Sequence, residues 1–309
     1  MHPPRAKRQT LLMENVWPVA GEMIGYTYFR YNGIDWRHHH GALVPLGMPH
    51  VKKSLQVADA RRLLLKYRSL FIRWEDQFDQ LSTGEWWHVI KDELEDFDAL
   101  SRNTRSKLRR GAKRFEAGTA KRKSILAEGY EVYKSAFDRY QTFEEMHSEK
   151  AFQQAIAKLP ENTEFWAVRE QESGQMVAFS ENLVQDGACF YDTMWFQPDA
   201  LRAYAGYLLI HAMNKHYLNE RGLLYVSDGA RSISHQTNVH EFLEQKFTFR
   251  RAYARLRVVY FPGLSILVKL LYPFRTLFNN RSASLLQKIA VVLEQERIRR
   301  ACLASGEEM

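Results

Sequence analysis

Aromatic and aliphatic positions alternate with polar ones in short runs through the first third of the chain, and each run ends on a turn signal. YTYFRY (26–31) reads as a strand, and NGIDWRHHHG (32–41) reads as a polar loop. KSLQVADARRLLLKYRS (53–69) carries Leu55, Ala58, Leu63 and Leu65 on one side of a helix. SLFIRWEDQFD (69–79) and EWWHVIKD (85–92) follow as strands, separated by the turn residues STG. A helix over 100–115 is predicted by Leu100, Thr104, Leu108, Ala112 and Phe115 at helical spacing, with Asp98 or Ser101 able to cap it. A long helical pattern from about Glu128 to Lys158 closes at Pro160 and Asn162.

After residue 160 the period changes. EFWAVRE (164–170), QMVAFSENLVQ (175–185) and ACFYDTMWFQ (188–197) form an antiparallel meander with turns at ESG and QDG. Pro198-Asp199 leads into a helix over 201–222 that stops at Gly222. LLYVSD (223–228) is a short strand, 235–246 a helix, and FRRAYARLRVVYF (249–261) the last strand. A final amphipathic helix spans 284–303, its apolar face made by Leu285, Leu286, Ile289, Val292, Leu293 and Ile298. No repeat of 20–50 residues is visible.

Composition narrows the classes. The chain has 309 residues, 45% hydrophobic and 13% aromatic, enough for a sizeable core. Its two cysteines, Cys189 and Cys302, form neither a disulfide framework nor a zinc site, which fits a reducing compartment. The N-terminus lacks the apolar core of a signal peptide, and no uncharged apolar run is long enough to span a bilayer. The expectation is a soluble cytoplasmic protein. The net charge is +8, yet residues 100–123 alone carry ten Lys or Arg against Glu116, a local +9 that leaves −1 for the rest. A DNA- or RNA-binding module built on that helix is the rival reading. The balanced remainder and the absence of a recognition motif argue against it, and DNA is not expected as a partner.

The MWFQPDALRAYAGYLL block, the DGARSISHQTNVHEFLEQKFTF block and the element order after residue 160 together resemble the GNAT acyltransferase fold. The resemblance implies an α+β chain with a GNAT-like central mixed sheet flanked by helices. It also implies acetyl-CoA or another acyl-CoA as co-substrate, its pyrophosphate on the backbone amides opening the helix after Pro198. Trp195, Phe196, Arg202, Ala203, Tyr204, Ala205 and Gly206 are the expected cofactor contacts, with Asn238 opening the second helix. The family's phosphate loop reads Arg/Gln-x-x-Gly-x-Gly/Ala. Here Arg202 begins Arg-Ala-Tyr-Ala-Gly-Tyr, with the glycine one place off. The Tyr that often serves as general acid falls at Glu244. A strand–helix–strand segment over 20–95 and a basic helix bearing Asn103, Arg105, Lys107, Arg109, Arg110 and Lys113 look more like the Fem-type branch. Its members move amino acids from aminoacyl-tRNA, or acyl groups, onto cell-wall or glycan amines. The implied organisation is an N-terminal α/β subdomain (1–98), a basic helix with a long helix (99–160), an acyltransferase core (161–262) and C-terminal amphipathic helices (263–309).

Acyl transfer to an amine needs a base and donors for the developing oxyanion. Asp192, Glu181, Asp228 and His235 are the candidate bases. Asp192 stands out as an acid inside CFYDTMWF, costly to bury unless paired. An ion pair to an Arg, solvation of Glu181 and a turn role for Asp228 are the competing readings. His235 and Asn238 belong to SISHQTN, where Ser234 or Thr237 can cap the next helix. His38, His39 and His40 read as a surface loop, since adjacent histidines do not converge on one ion, and no metal is expected. Arg105 and Arg109 are the expected anion contacts. The acceptor would be a small-molecule, glycan or peptide amine, with tRNA the less favoured donor. The stretch FPGLSILVKLLYPF (261–274) and its continuation to 280 suggest packing or a peripheral membrane contact.

Overall fold

The computed structural model describes residues 27–39, 41–137, 146–233, 238–278 and 284–304. Among these residues eleven strands form one sheet. In chain order they are β1 (Thr27–Tyr31), β2 (Ile34–His39), β3 (Ala42–Pro45), β4 (Phe71–Gln80), β5 (Trp87–Lys91), β6 (Phe115–Ala120), β7 (Thr163–Glu170), β8 (Met176–Gln185), β9 (Ala188–Phe196), β10 (Tyr225–Ala230) and β11 (Arg250–Tyr260). The helices are α1 (Val57–Lys66), α2 (Arg102–Ala112), α3 (Arg122–Phe137), α4 (Glu149–Lys158), α5 (Pro198–Arg202), α6 (Ala205–Asn214), α7 (Asn238–Phe247), α8 (Pro262–Leu271) and α9 (Ser284–Ala304). The mixed sheet with flanking helices is the architecture expected from the sequence.

The strand order is β1-β2-β3-β4-β11-β5-β10-β9-β8-β7-β6. Only β3–β4 and β9–β10 pair in parallel. The last strand, β11, enters between β4 and β5, so β5 stands between β10 and β11. A strand from ahead of the basic helix thereby completes the sheet made by the later strands, and the two halves share their hydrogen bonding.

Opposite faces carry different cores. On one face α2, α6 and α7 bury Leu108, Phe115, Tyr191, Leu209, Met213, Tyr217, Leu243 and Phe247. On the other, α3 and α4 cover Ile125, Val132, Phe152, Phe165 and Phe179. On that same side α9 packs Ile298 and Cys302 against Trp86, Ala254 and Leu256.

The structure corrects several expectations. Residues 34–39 are strand β2, not loop: Trp36 is wholly buried and fixes the alternation. The long helix expected from Glu128 instead begins at Arg122, after the strand β6 that the pattern did not predict. FEAGTA hides its period behind small residues, and β7 supplies the ladder that makes it a strand. The helix expected over 201–222 breaks at Tyr204, whose φ of 74° is left-handed, into α5 and α6. A π-helical stretch, Lys215–Glu220, continues α6. In α1 the buried positions are Ala60, Leu63 and Leu64, while Leu65 is exposed. In α9 the buried face runs through Leu293 and Ile298, with Leu285 exposed.

Candidate active site

Strands β9 and β10 pair only from Ala188–Tyr225 to Phe190–Ser227, and then separate. Beyond Phe190 the edge of β9 facing β10 has no strand partner, although β9 runs on to Phe196. At the same place β9 carries an extra residue. Asn182 faces Tyr191 and Glu181 faces Thr193, so Asp192 is bulged out of the β8 ladder. A bulge re-aims a side chain and frees backbone groups, and here it does both where the sheet opens.

The bulge brings two carboxyls together. Glu181 shares a sheet face with Thr193 and with the α3 side of the sheet. It is partly exposed, yet protein surrounds its carboxyl. Burial pushes the carboxyl up to about 8, the Asp192 charge adds to the rise, and Arg122 opposes it. Among the described residues Glu181 has no hydrogen-bonding partner. Asp192 is exposed but recessed: burial raises its pKa too, and the charge of Arg37 on β2 opposes that rise. Arg122 is fixed by its guanidinium, which donates to the carbonyls of Leu159 (2.6 Å) and Pro160 (2.7 Å) at the end of α4.

Arg37 also lines a cleft of about 590 Å³ on the same face, beside α9. Its floor comes from β4, β5, β9 and β10 through Glu75, His88, Phe190 and Ser227, and Val291 of α9 closes one side. Trp86 Nε1–H donates to Glu75 Oε2 at 2.9 Å, and His88 Nε2 lies 2.7 Å from the same oxygen. Burial works to raise the Glu75 pKa. The charge and hydrogen bond of His88, then Trp86 and Lys53, outweigh it and hold the carboxyl at about 2. Glu75 on β4 and His88 on β5 reach each other across β11, whose Ala252 and Ala254 on the same face leave the room. Arg73, desolvated in the cleft wall, reaches only Gln295 by hydrogen bond among the described residues, at 3.5 Å. Arg231 is engaged by Glu85 and Glu294. The cleft therefore has apolar walls and a cationic lining.

Elsewhere the predicted residues fall differently. Asp228 points to the opposite face and pairs with His240 Nε2 at 3.3 Å under α7. Burial raises its carboxyl, and His240 opposes this. It is not beside Glu181. His235 lies outside the described residues, as does His40. Asn238 opens α7 and is exposed. Trp195 packs edge-on to Tyr133 at 4.8 Å, on the α3 side.

The phosphate cradle expected over 202–206 is not built as the sequence suggested. Arg202 ends α5 and pairs with Asp199. The amide of Ala203 bonds to Asp199, and that of Tyr204 to Leu201. The amides left without a helical acceptor are those of Ala205, Gly206 and Tyr207. All three residues are buried, Ala205 completely. A Cβ at Gly206 would meet Leu201 at 3.2 Å and Phe196 at 3.7 Å, so these side chains lie over the helix end.

Helix α2 packs against this turn. Ser101 caps it, accepting from the Thr104 amide at 3.1 Å. Leu108 and Thr104 face inward, and Gly111 permits contact because a Cβ there would stand 3.0 Å from the Tyr204 carbonyl oxygen. Lys107 Nζ donates to Tyr207 Oη at 3.1 Å, and Arg110 lies over the Tyr204 ring at 4.7 Å. Arg102, Arg109, Arg110 and Lys113 are exposed, giving a cationic strip beside the start of α6. Arg109 lies over Phe97. Arg105 is instead half-structural, bonded to Asp98 at 2.7 Å, so its charge is partly spent within the fold.

The residues missed from sequence are Arg37, Arg73, Glu75 and His88. The available signal was charge inside aromatic strands, FIRWED and WWHV. Among the described residues no group of acids, histidines and cysteines could hold a metal.

Residues 102–230 match the profile of the acetyltransferase (GNAT) domain family. The fold is similar to that of FemX, with a TM-score of 0.55 and 10% identity over 84% of this chain and 94% of that one. It is also similar to the C-terminal domain of a candidate lysylphosphatidylglycerol synthetase from Agrobacterium fabrum, with a TM-score of 0.54 and 13% identity over 81% of this chain and 88% of that one. The L-PGS structure from Bacillus licheniformis gives a TM-score of 0.52 and 15% identity over 91% of each chain. No curated protein matches the sequence. The splayed β9–β10 pair, the bulge and the helix after β9 thus lie inside the segment that matches the acetyltransferase (GNAT) domain family, in a chain whose fold is similar to that of FemX.

Proposed function

We propose that the protein transfers an acyl group from acyl-CoA to an amine held in the cleft on the α3–α9 face. The observation that carries this reading is the Glu181–Asp192 pair at the bulge where β9 parts from β10. The acyl carbonyl would sit in that gap, against backbone groups of β9 that no strand satisfies. The acceptor enters as an ammonium ion. Glu181, raised to about 8, takes its proton once ionised. The neutral amine attacks the carbonyl carbon, an N–C bond forms, the C–S bond breaks, and the second proton of the attacking nitrogen passes to the departing thiolate to give the thiol. Asp192 keeps Glu181 basic by like charge, while Arg122 limits the rise of Glu181 and Arg37 that of Asp192. Arg37 and Arg73 suit an acceptor that bears an acid group, in keeping with a sugar, peptide or envelope precursor.

A second reading takes aminoacyl-tRNA as donor. It is favoured by one specific observation: Phe196 and Leu201 lie over the first turn of α6, while α2 leaves four exposed cations beside it. A polyanion lying along α2 would not need the buried amides. FemX and L-PGS, the similar folds, fit this branch.

Binding separates the two. Titration with CoA, acetyl-CoA and charged tRNA, followed by thermal shift, is expected to give saturable stabilisation by acetyl-CoA. Stabilisation by charged tRNA alone would move the donor to the second reading. No response to any of them would remove the transfer reading.

A further inference from the structure

The segment after β11 has an apolar surface that no other described part of the protein covers. Helix α8 is rich in aliphatic residues, yet only Val268 is buried. Ile266 is 62% exposed, Leu267 47% and Leu270 65%. At about 100° per residue these three fall within one arc, with Val268 opposite. The 3₁₀-helical stretch that follows, Tyr272–Phe278, continues the surface with Phe274 at 57% and Leu277 at 62%. Five large apolar side chains in twelve residues exceed the scattered exposure normal for a soluble surface.

Charge identifies what covers this surface. No Asp or Glu occurs between Glu244 and Glu294. Lys269 is exposed at the flank of the arc, and Arg275 lies within the stretch. A second copy of the chain docking by the same patch would set cation against cation across the twofold. A bilayer with anionic headgroups receives the apolar side chains in its acyl boundary and the cations at its phosphates. Lys269 is long enough to keep its ammonium in the headgroup layer while its stem lies along the apolar arc. No described helix is long and apolar enough to cross a membrane, so the geometry is that of a segment lying in the interface.

We infer that residues 261–278 form a docking surface for an anionic lipid bilayer. The inference rests on this surface alone and stands apart from acyl transfer. Co-sedimentation of the full chain with sucrose-loaded vesicles tests it. The protein is expected to pellet with phosphatidylcholine–phosphatidylglycerol vesicles and to stay in solution with phosphatidylcholine alone, binding less as salt rises. The triple variant Ile266→Ser/Leu270→Ser/Phe274→Ser, checked for fold by circular dichroism, is expected to bind at least about tenfold more weakly. Lys269→Glu with Arg275→Glu would lower binding while leaving the apolar arc intact. Leu270→Trp gives an independent readout, a blue-shifted emission on adding anionic vesicles. Wild-type protein remaining in the supernatant with anionic vesicles overturns the inference. So does a triple variant that pellets like wild type. A wild-type dimer by light scattering that the triple variant turns into monomer, without vesicle binding, assigns the surface to a second copy instead.

Discussion

Glu75 and Glu181 both sit in strands of one sheet, both face the side covered by α3 and α9, and both are surrounded by protein, yet they are opposites. Glu75 receives hydrogen bonds from Trp86 and His88 and is held charged at about 2. Glu181 has no such partner among the described residues, has an acid for a neighbour, and titrates near 8. Burial alone raises both. What separates them is whether the surroundings supply donors for the charged form. A carboxylate whose lone pairs are filled is a strut of the fold. One left without donors can exchange a proton with a ligand, which is the property a base for an ammonium acceptor requires.

The sharpest way to break that contrast is to remove each carboxyl. Glu181→Gln keeps the volume and removes the base. Turnover on an accepted amine, followed by thiol release, is expected to fall by about 10²–10⁴-fold with the fold intact. Unchanged turnover would take the base role away from Glu181. Glu75→Ala is expected to do the reverse. It leaves His88 and the Trp86 N–H without their shared acceptor in a buried place, a loss of about 3–5 kcal/mol in urea unfolding. A loss near zero would mean that water replaces the carboxylate there.

Much of this contrast was not legible in the sequence, for physical reasons. Element types were readable wherever the period was strong: the meander β7–β8–β9, the docked basic helix α2 and the closing strand β11 follow the pattern. Asp192 could be singled out because an acid in CFYDTMWF has to be explained. The bulge that exposes it could not, since an extra residue shows only against the register of β8. Glu75 and His88 are thirteen positions apart and meet across β11, a strand that arrives more than 160 residues later in the chain. Local propensity carries no trace of that meeting. The break at Tyr204 escaped notice for another reason: a non-glycine residue with φ of 74° is held by its surroundings, here Gly111 of α2 against its carbonyl.

A smaller effect lies in the pH dependence of stability, where the two carboxyls have opposite signs. Glu75 is depressed to about 2, so its contribution is present above the ordinary glutamate value of 4.5 and is lost as pH falls toward 2. Glu181 is raised to about 8, so the folded state holds a proton that the unfolded state releases above 4.5. Its effect is a loss of stability that grows as pH rises from 4.5 to about 8 and is level beyond. Glu181→Gln should therefore be no more stable than wild type near pH 4. It should gain progressively up to about pH 8, read as the difference between urea midpoints. Equal midpoints across that range would mean that water solvates Glu181 well enough to leave it an ordinary carboxyl.

The smallest expected effect tests the coupling within the pair. Asp192 raises Glu181 by like charge, second to burial. Asp192→Asn removes that charge and leaves the desolvation, so the midpoint of the pH–rate curve should move toward lower pH without reaching the ordinary glutamate value. Arg37 lowers Asp192, so Arg37→Gln should let Asp192 hold its proton to higher pH and, through the coupled pair, move the midpoint the same way by a smaller amount. Glu75 shares neither neighbour among its causes, and the acid limb of unfolding should stay where it is in both variants. A midpoint that ignores Asp192→Asn would mean that the bulged carboxyl is too well solvated to be felt on the neighbouring strand. The bulge would then serve the acyl carbonyl through its free backbone groups, and Glu181 would owe its basicity to burial alone.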